Sequence, residues 1–145
     1  MNYLNINAVN NKTISLSNVG VLTDEIDNGN IVILCLDMYY ISNEINNYWH
    51  INKFYTTKGD GWGHFILLKG YKIVDGKLLF EFYDPYSYGK KYSDNALKGI
   101  DRYYSDSDID QATEIWWDYA IVVSKNTFKR ADGLNLNLIP DQFGR

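Results

Sequence analysis

The run "IVILCLDMYYI", starting at Ile31, is continuous and rich in β-branched residues, and it predicts a strand buried on both faces from Ile31 to about Leu36. Upstream, "NKTISLSNVGVL" alternates polar and apolar positions, the pattern of an edge strand from about Lys12 to Ser17. Between them Thr23 is placed to cap a single helical turn, "TDEIDNG", with acidic residues at its start and Gly29 to stop it. Two further apolar runs, His64 to Tyr71 and Lys77 to Tyr83, flank Asp75-Gly76, a pair suited to a type I′ hairpin turn. Residues 42 to 61 and 85 to about 106 read as loops. Ser105 or Ser107 caps the acidic-started helix "DSDIDQATEIWWDY", and "AIVVS" reads as a last strand. The pattern gives an α+β fold class: a mostly antiparallel sheet with one main helix packed on it.

No repeat, low-complexity tract or Pro/Gly linker interrupts the 145 residues, so residues 1–145 read as a single domain. A net charge of -4 argues against nucleic acid as a partner, because phosphate binding needs a basic patch. No run of about 18 apolar residues occurs, so no membrane span is expected, and the first residues lack the basic and apolar regions of a secretory signal. The single cysteine excludes an internal disulfide and fits a reducing compartment; the expected location is cytoplasmic. Two histidines without clustered Cys or paired Glu give no metal-site spacing, so neither metal nor cofactor is expected. Aromatic residues make up 16% of the chain, enough to line both a core and a groove with rings.

Candidate chemistry concentrates in "GDGWGHFILLKGYKIVDGKLLFEFYDPYSYG", residues 59 to 89. In a regular hairpin turning at 75 and 76, residues whose numbers total about 151 face each other. His64 then lies opposite residue 87, three past Asp84, at the same end of the ribbon. A carboxylate there can accept a hydrogen bond from one imidazole nitrogen, fix the tautomer and leave the other nitrogen to act as a base. The competing reading makes His64 a strand-end residue bonded to a loop carbonyl. Gly61 and Gly63 permit close approach of backbone or substrate before the histidine, and Trp62 is placed to shield the pair from water.

These residues resemble the bacterial papain-like thiol enzymes. "GHFILLKGYK" followed by "FEFYDPYSYG" is similar to the Gly-His, Gly-Tyr and Asp-Pro pattern of the bacteriocin-leader peptidases, their stand-alone relatives and the butirosin-type acyltransferases. "LTDEIDNGNIVILCLDMYYI" resembles the segment those families carry before the histidine, and the likeness covers roughly residues 19 to 124. The resemblance implies the sheet lobe of a papain-like fold, here a partial one, with His64 as base, Asp84 as its orienter and a peptide or thioester carbonyl as the target. In the families the nucleophile is a cysteine at the N-terminus of a long helix well before the apolar strand, where the helix dipole favours thiolate. No cysteine stands there in this chain. Cys35, its only thiol, falls within "IVILCL", where a plain core role competes with that of a displaced nucleophile.

Two functions follow. One is a cysteine peptidase, amidase or acyltransferase-like hydrolase domain, whose nucleophile a separate Cys-bearing chain supplies. The other is a pseudoenzyme of the same fold that binds a peptide or protein in a groove between the 42 to 61 and 85 to 106 loops, with Trp62, Gly63, Tyr86 and Tyr88 as substrate-binding residues. Other candidates read as structural. His50 sits in a loop among aromatics, Asp37 can hydrogen-bond across strand ends, and "DSDID" suits helix capping better than a calcium loop, lacking its Gly and distal Glu. Trp116 and Trp117, adjacent on the expected helix, point about 100° apart, so at least one should face the sheet.

Overall fold

The computed structural model describes residues 10–42, 57–58, 63–85, 89–114 and 117–124. Within them the chain forms β1 (Asn11–Ser15), helix α1 (Val21–Asp27), β2 (Ile31–Asp37), a 3₁₀ turn (Met38–Tyr40), β3 (Gly63–Val74), β4 (Lys77–Tyr83), β5 (Arg102–Ser105), helix α2 (Asp106–Glu114) and β6 (Tyr119–Val123). The strands join into one antiparallel sheet in the order β1-β6-β2-β3-β4-β5. This is the α+β architecture that the hydrophobic pattern predicts.

Alternation along the strands decides what the sheet buries. Val32, Leu34 and Leu36 of β2, Ile66 and Leu68 of β3, Phe80 and Phe82 of β4, Tyr104 of β5, and Ala120 and Val122 of β6 are all buried in one apolar cluster. Leu22 of α1 and Ile109 and Ala112 of α2 close that cluster, so both helices cover the same face. The opposite face carries Phe65, which remains 45% exposed, together with Ile33 and Leu67.

Local chemistry explains most element ends. Asp75 and Gly76 both take positive φ, 51° and 74°, as a type I′ turn requires of its two central residues. Gly29 ends α1 with φ 73°, a left-handed conformation that costs glycine little. Ser105 caps α2: its Oγ accepts the Asp108 N–H at 3.1 Å. Thr23, expected as a cap, instead lies inside the first turn of α1, where its hydroxyl donates to the Gly20 carbonyl at 2.7 Å.

Two features depart from the pattern. Strand β5 lies within a stretch that reads as loop, and it adds an edge beside β4. The β3–β4 hairpin is not regular: Leu68 pairs with Phe82 but Gly70 pairs with Glu81, so one extra residue bulges from β3 at Lys69. Helix α2 is described as far as Glu114, and the Trp117 N–H donates to the Thr113 carbonyl at 3.1 Å; Trp116 lies outside the described residues.

Candidate active site

His64 and Asp84 meet at the open end of the β3–β4 ribbon. His64 is the second residue of β3 and stands across from Leu36 of β2, so its side chain leaves on the helix-covered face. Asp84 follows Phe82 by two residues and leaves on that face too. The imidazole Nε2 lies 2.7 Å from the Asp84 Oδ1, with the side chains 12% and 3% exposed. With an ionised carboxylate, Nε2 is the donor, which makes Nδ1 the nitrogen at which a neutral ring would take up a proton. The Asp84 backbone is fixed as well: its N–H donates to the Gly99 carbonyl at 2.7 Å.

A polar cluster that no motif in the sequence announces sits next to Asp84. Arg102 is buried, 1% exposed, and its Nη1 donates to the Tyr92 hydroxyl while the guanidinium lies 4.8 Å from the Tyr92 ring centroid. The Arg102 Nη2 has no hydrogen-bond partner among the described residues. Burial, reinforced by the Asp84 charge and opposed by Arg102, pushes the Tyr104 hydroxyl well above the ordinary tyrosine range. Burial likewise raises Tyr92, against the pull of Arg102. Asp84 and Arg102 thus act on the same two tyrosine hydroxyls in opposite senses. The only sequence signal for this cluster is an arginine beginning the short apolar stretch "RYYS".

Cys35 is placed differently. It neighbours Leu36 in β2, and side chains alternate along a strand, so its thiol leaves on the face opposite the His64 ring. The thiol is buried, 4% exposed, and this burial pushes its pKa up; the backbone N–H of His64 opposes the shift. Its cross-strand partner Phe65 meets Trp117 edge-on at 5.1 Å, and Trp117 stacks on Tyr119 at 4.8 Å. The geometry brings His64 and Asp84 together and leaves Cys35 across the sheet from both.

Gly63, exposed at the start of β3, pairs with Asp37. Asp37 serves the fold, since its Oδ1 accepts the Tyr39 N–H at 2.9 Å and caps the 3₁₀ turn. In "DSDID", Asp108 Oδ2 accepts the Ser42 N–H at 2.8 Å, which ties the helix to the end of the 3₁₀ segment. Trp62, Tyr86, Tyr88 and His50 lie outside the described residues. Among the described residues no group of three or more His, Cys, Asp or Glu side chains is arranged to hold a metal ion, and no helix is long and apolar enough to cross a membrane.

Two hollows adjoin the site. A cavity of about 610 Å³ is lined by Ile33, Phe65, Leu67, Tyr83, Asp84 and Ile100, among others. Ile33, Phe65 and Leu67 belong to the uncovered face, and the cavity reaches the dyad at Asp84. A second, of about 450 Å³, is bordered by Asp84, Pro85, Gly89, Leu97, Gly99 and Ile100; most of the 42 to 61 loop, the other expected wall of the groove, lies outside the described residues. No family model, no curated protein and no solved structure matches the chain.

Proposed function

We propose that this chain supplies the base half of a papain-like thiol enzyme: His64 takes the proton from a thiol nucleophile, Asp84 holds the ring, and the target is a peptide or acyl carbonyl. The 2.7 Å Nε2 to Oδ1 contact between two largely buried side chains carries this reading. A buried imidazole held by a buried carboxylate has a fixed tautomer and a fixed direction of proton transfer, as a general base requires. The nucleophile comes from outside the described residues, on a separate Cys-bearing chain, because Cys35 leaves the sheet on the other face. Nucleophile, base and oxyanion donors must assemble before a carbonyl can be attacked. The placement of Cys35 also favours a second reading, an inactive module of the same fold that binds a peptide or protein in the groove beside Pro85 and Leu97.

A small thiol can stand in for the missing nucleophile. The chain is mixed with N-acetylcysteine and an activated acyl thioester, and thiol–thioester exchange is followed beside binding of a peptide library. A positioned base contributes about 10²–10⁴ in rate within a complete site; with an untethered thiol the expected acceleration is at least about tenfold, abolished in His64→Ala and reduced in Asp84→Asn. Peptide binding without acceleration selects the module. Acceleration that survives His64→Ala removes the enzyme reading.

A further inference from the structure

Along β3 the buried residues change parity. His64, Ile66 and Leu68 precede Lys69 on the helix-covered face. After it, Tyr71 reaches that same face, where its hydroxyl donates to the Asp27 carboxylate of α1 at 3.0 Å. From Val74↔Lys77 back to Gly70↔Glu81 the paired residue numbers total 151; from Leu68↔Phe82 onward they total 150. Were 151 kept throughout, Asp84 would stand opposite Leu67 and share its face, away from the His64 ring, because a one-residue slip moves a side chain through the sheet. We propose that the one-residue bulge at Lys69, held outward by Glu81 and Asp101, is the device that places Asp84 on the face of His64, which makes these three side chains positioning residues of the dyad.

The bulge is pinned from two strands. Lys69 Nζ donates to Glu81 Oε1 at 2.9 Å and to Asp101 Oδ1 at 2.8 Å, and it sits 5.0 Å from the Tyr83 ring centroid. Glu81 belongs to β4, the strand that ends at Asp84. Asp101, at φ 55°, follows the Gly99 carbonyl that receives the Asp84 N–H. The clamp therefore joins the extra residue of β3 to the two segments that set the height and direction of the carboxylate. Asp101 is held below the ordinary carboxylate range chiefly by Lys69, and Lys69 is raised chiefly by Asp101, so both stay charged near neutrality.

The proposal rests on His64 and Asp84 acting as a pair, but it is read from the hydrogen bond of the ring, so it fails or stands apart from any turnover. In ¹⁵N-labelled protein the His64 Nε2–H is followed by nuclear magnetic resonance and its exchange with water is timed. Glu81→Gln combined with Asp101→Asn removes only the clamp charges, and exchange should quicken roughly fivefold, as expected for the loss of two partly exposed ion pairs. Deleting Lys69 should leave the Nε2–H as protected as in the parent, because Gly70↔Glu81 then runs directly into Leu68↔Phe82 with no excess residue. In that shortened chain the double substitution should no longer quicken exchange. Unchanged exchange in the double variant overturns the proposal, and so does quickening that persists in full after the deletion. If the shortened chain does not fold, Asp27→Asn decides: it frees Tyr71 on the far side of the bulge, and equal quickening from it refutes a specific clamp.

Discussion

His64 and Phe65 are neighbours on one strand, yet they leave it in opposite directions and meet opposite surroundings. The face reached by His64 is closed by two helices over Phe80, Phe82 and Tyr104, all at most 1% exposed, and the His64–Asp84 contact lies at its end. The face reached by Phe65 holds ring contacts, an open hollow and the one thiol. A sheet of this kind offers two sites with different chemistry from a single alternating sequence. Low dielectric and fixed partners suit proton transfer on the closed face, whereas the open apolar face suits contact with another surface.

Stability separates the faces most sharply. Phe82→Ala empties a fully buried position against Tyr104, whose ring stacks on it at 5.1 Å, and should cost about 3–5 kcal/mol in urea unfolding. Phe65→Ala removes a ring already 45% exposed, with one edge contact to Trp117, and about 1 kcal/mol is expected. Equal costs would mean that the open face is covered in solution, and the comparison would collapse.

Cys35 provides a middle-sized effect and a sign in pH. Its folded pKa is raised by burial above the ordinary 9.0, so the folded state favours the neutral thiol. That contribution is complete below the unfolded value and is lost as pH rises through the folded one. Stability should therefore decline above about pH 9 in the parent and decline less in Cys35→Ala, which itself costs about 1 kcal/mol near neutrality through lost packing. A thiol reagent should label the native protein slowly and the denatured protein at once. Rapid native labelling would return Cys35 to candidacy as a nucleophile.

The hairpin shows where the sequence was readable and where it was not. Asp75-Gly76 announces its turn, and the Gly-His and Asp-Pro stretches locate both ends of the dyad, because turn chemistry and apolar runs are local signals. The phase between those ends is not local. A regular ribbon sets His64 opposite residue 87 and turns Asp84 to the wrong face, and the correction depends on one extra residue held by Asp101, 32 positions away. Gly70, inside the apolar run, was the available signal, since an isolated strand glycine often marks a bulge. Strand β5 was missed because four residues between polar neighbours carry too little periodicity, and its pairing with β4 is decided by tertiary contact.

The smallest effect tests the margin of the closed face, where α1 meets β1. Glu25 is 8% exposed, its Oε1 is 2.7 Å from Lys12 Nζ, and its Oε2 accepts from Asn30 Nδ2 at 2.7 Å. Lys12 is the leading cause that holds this carboxyl below its ordinary 4.5, with burial opposing and Asn30 assisting. A depressed folded pKa contributes stability above the unfolded value and loses it as pH falls through the folded one. Lys12→Met should therefore cost under about 1 kcal/mol at neutral pH, because the lysine is 54% exposed and solvent screens the pair. The variant should also lose less stability than the parent between about pH 5 and 3. Asn30 still satisfies one oxygen, so the fold should persist. Identical acid slopes in parent and variant would show that hydrogen bonding by Asn30 alone holds the carboxylate, and that the edge of the closed face does not depend on its exposed charge.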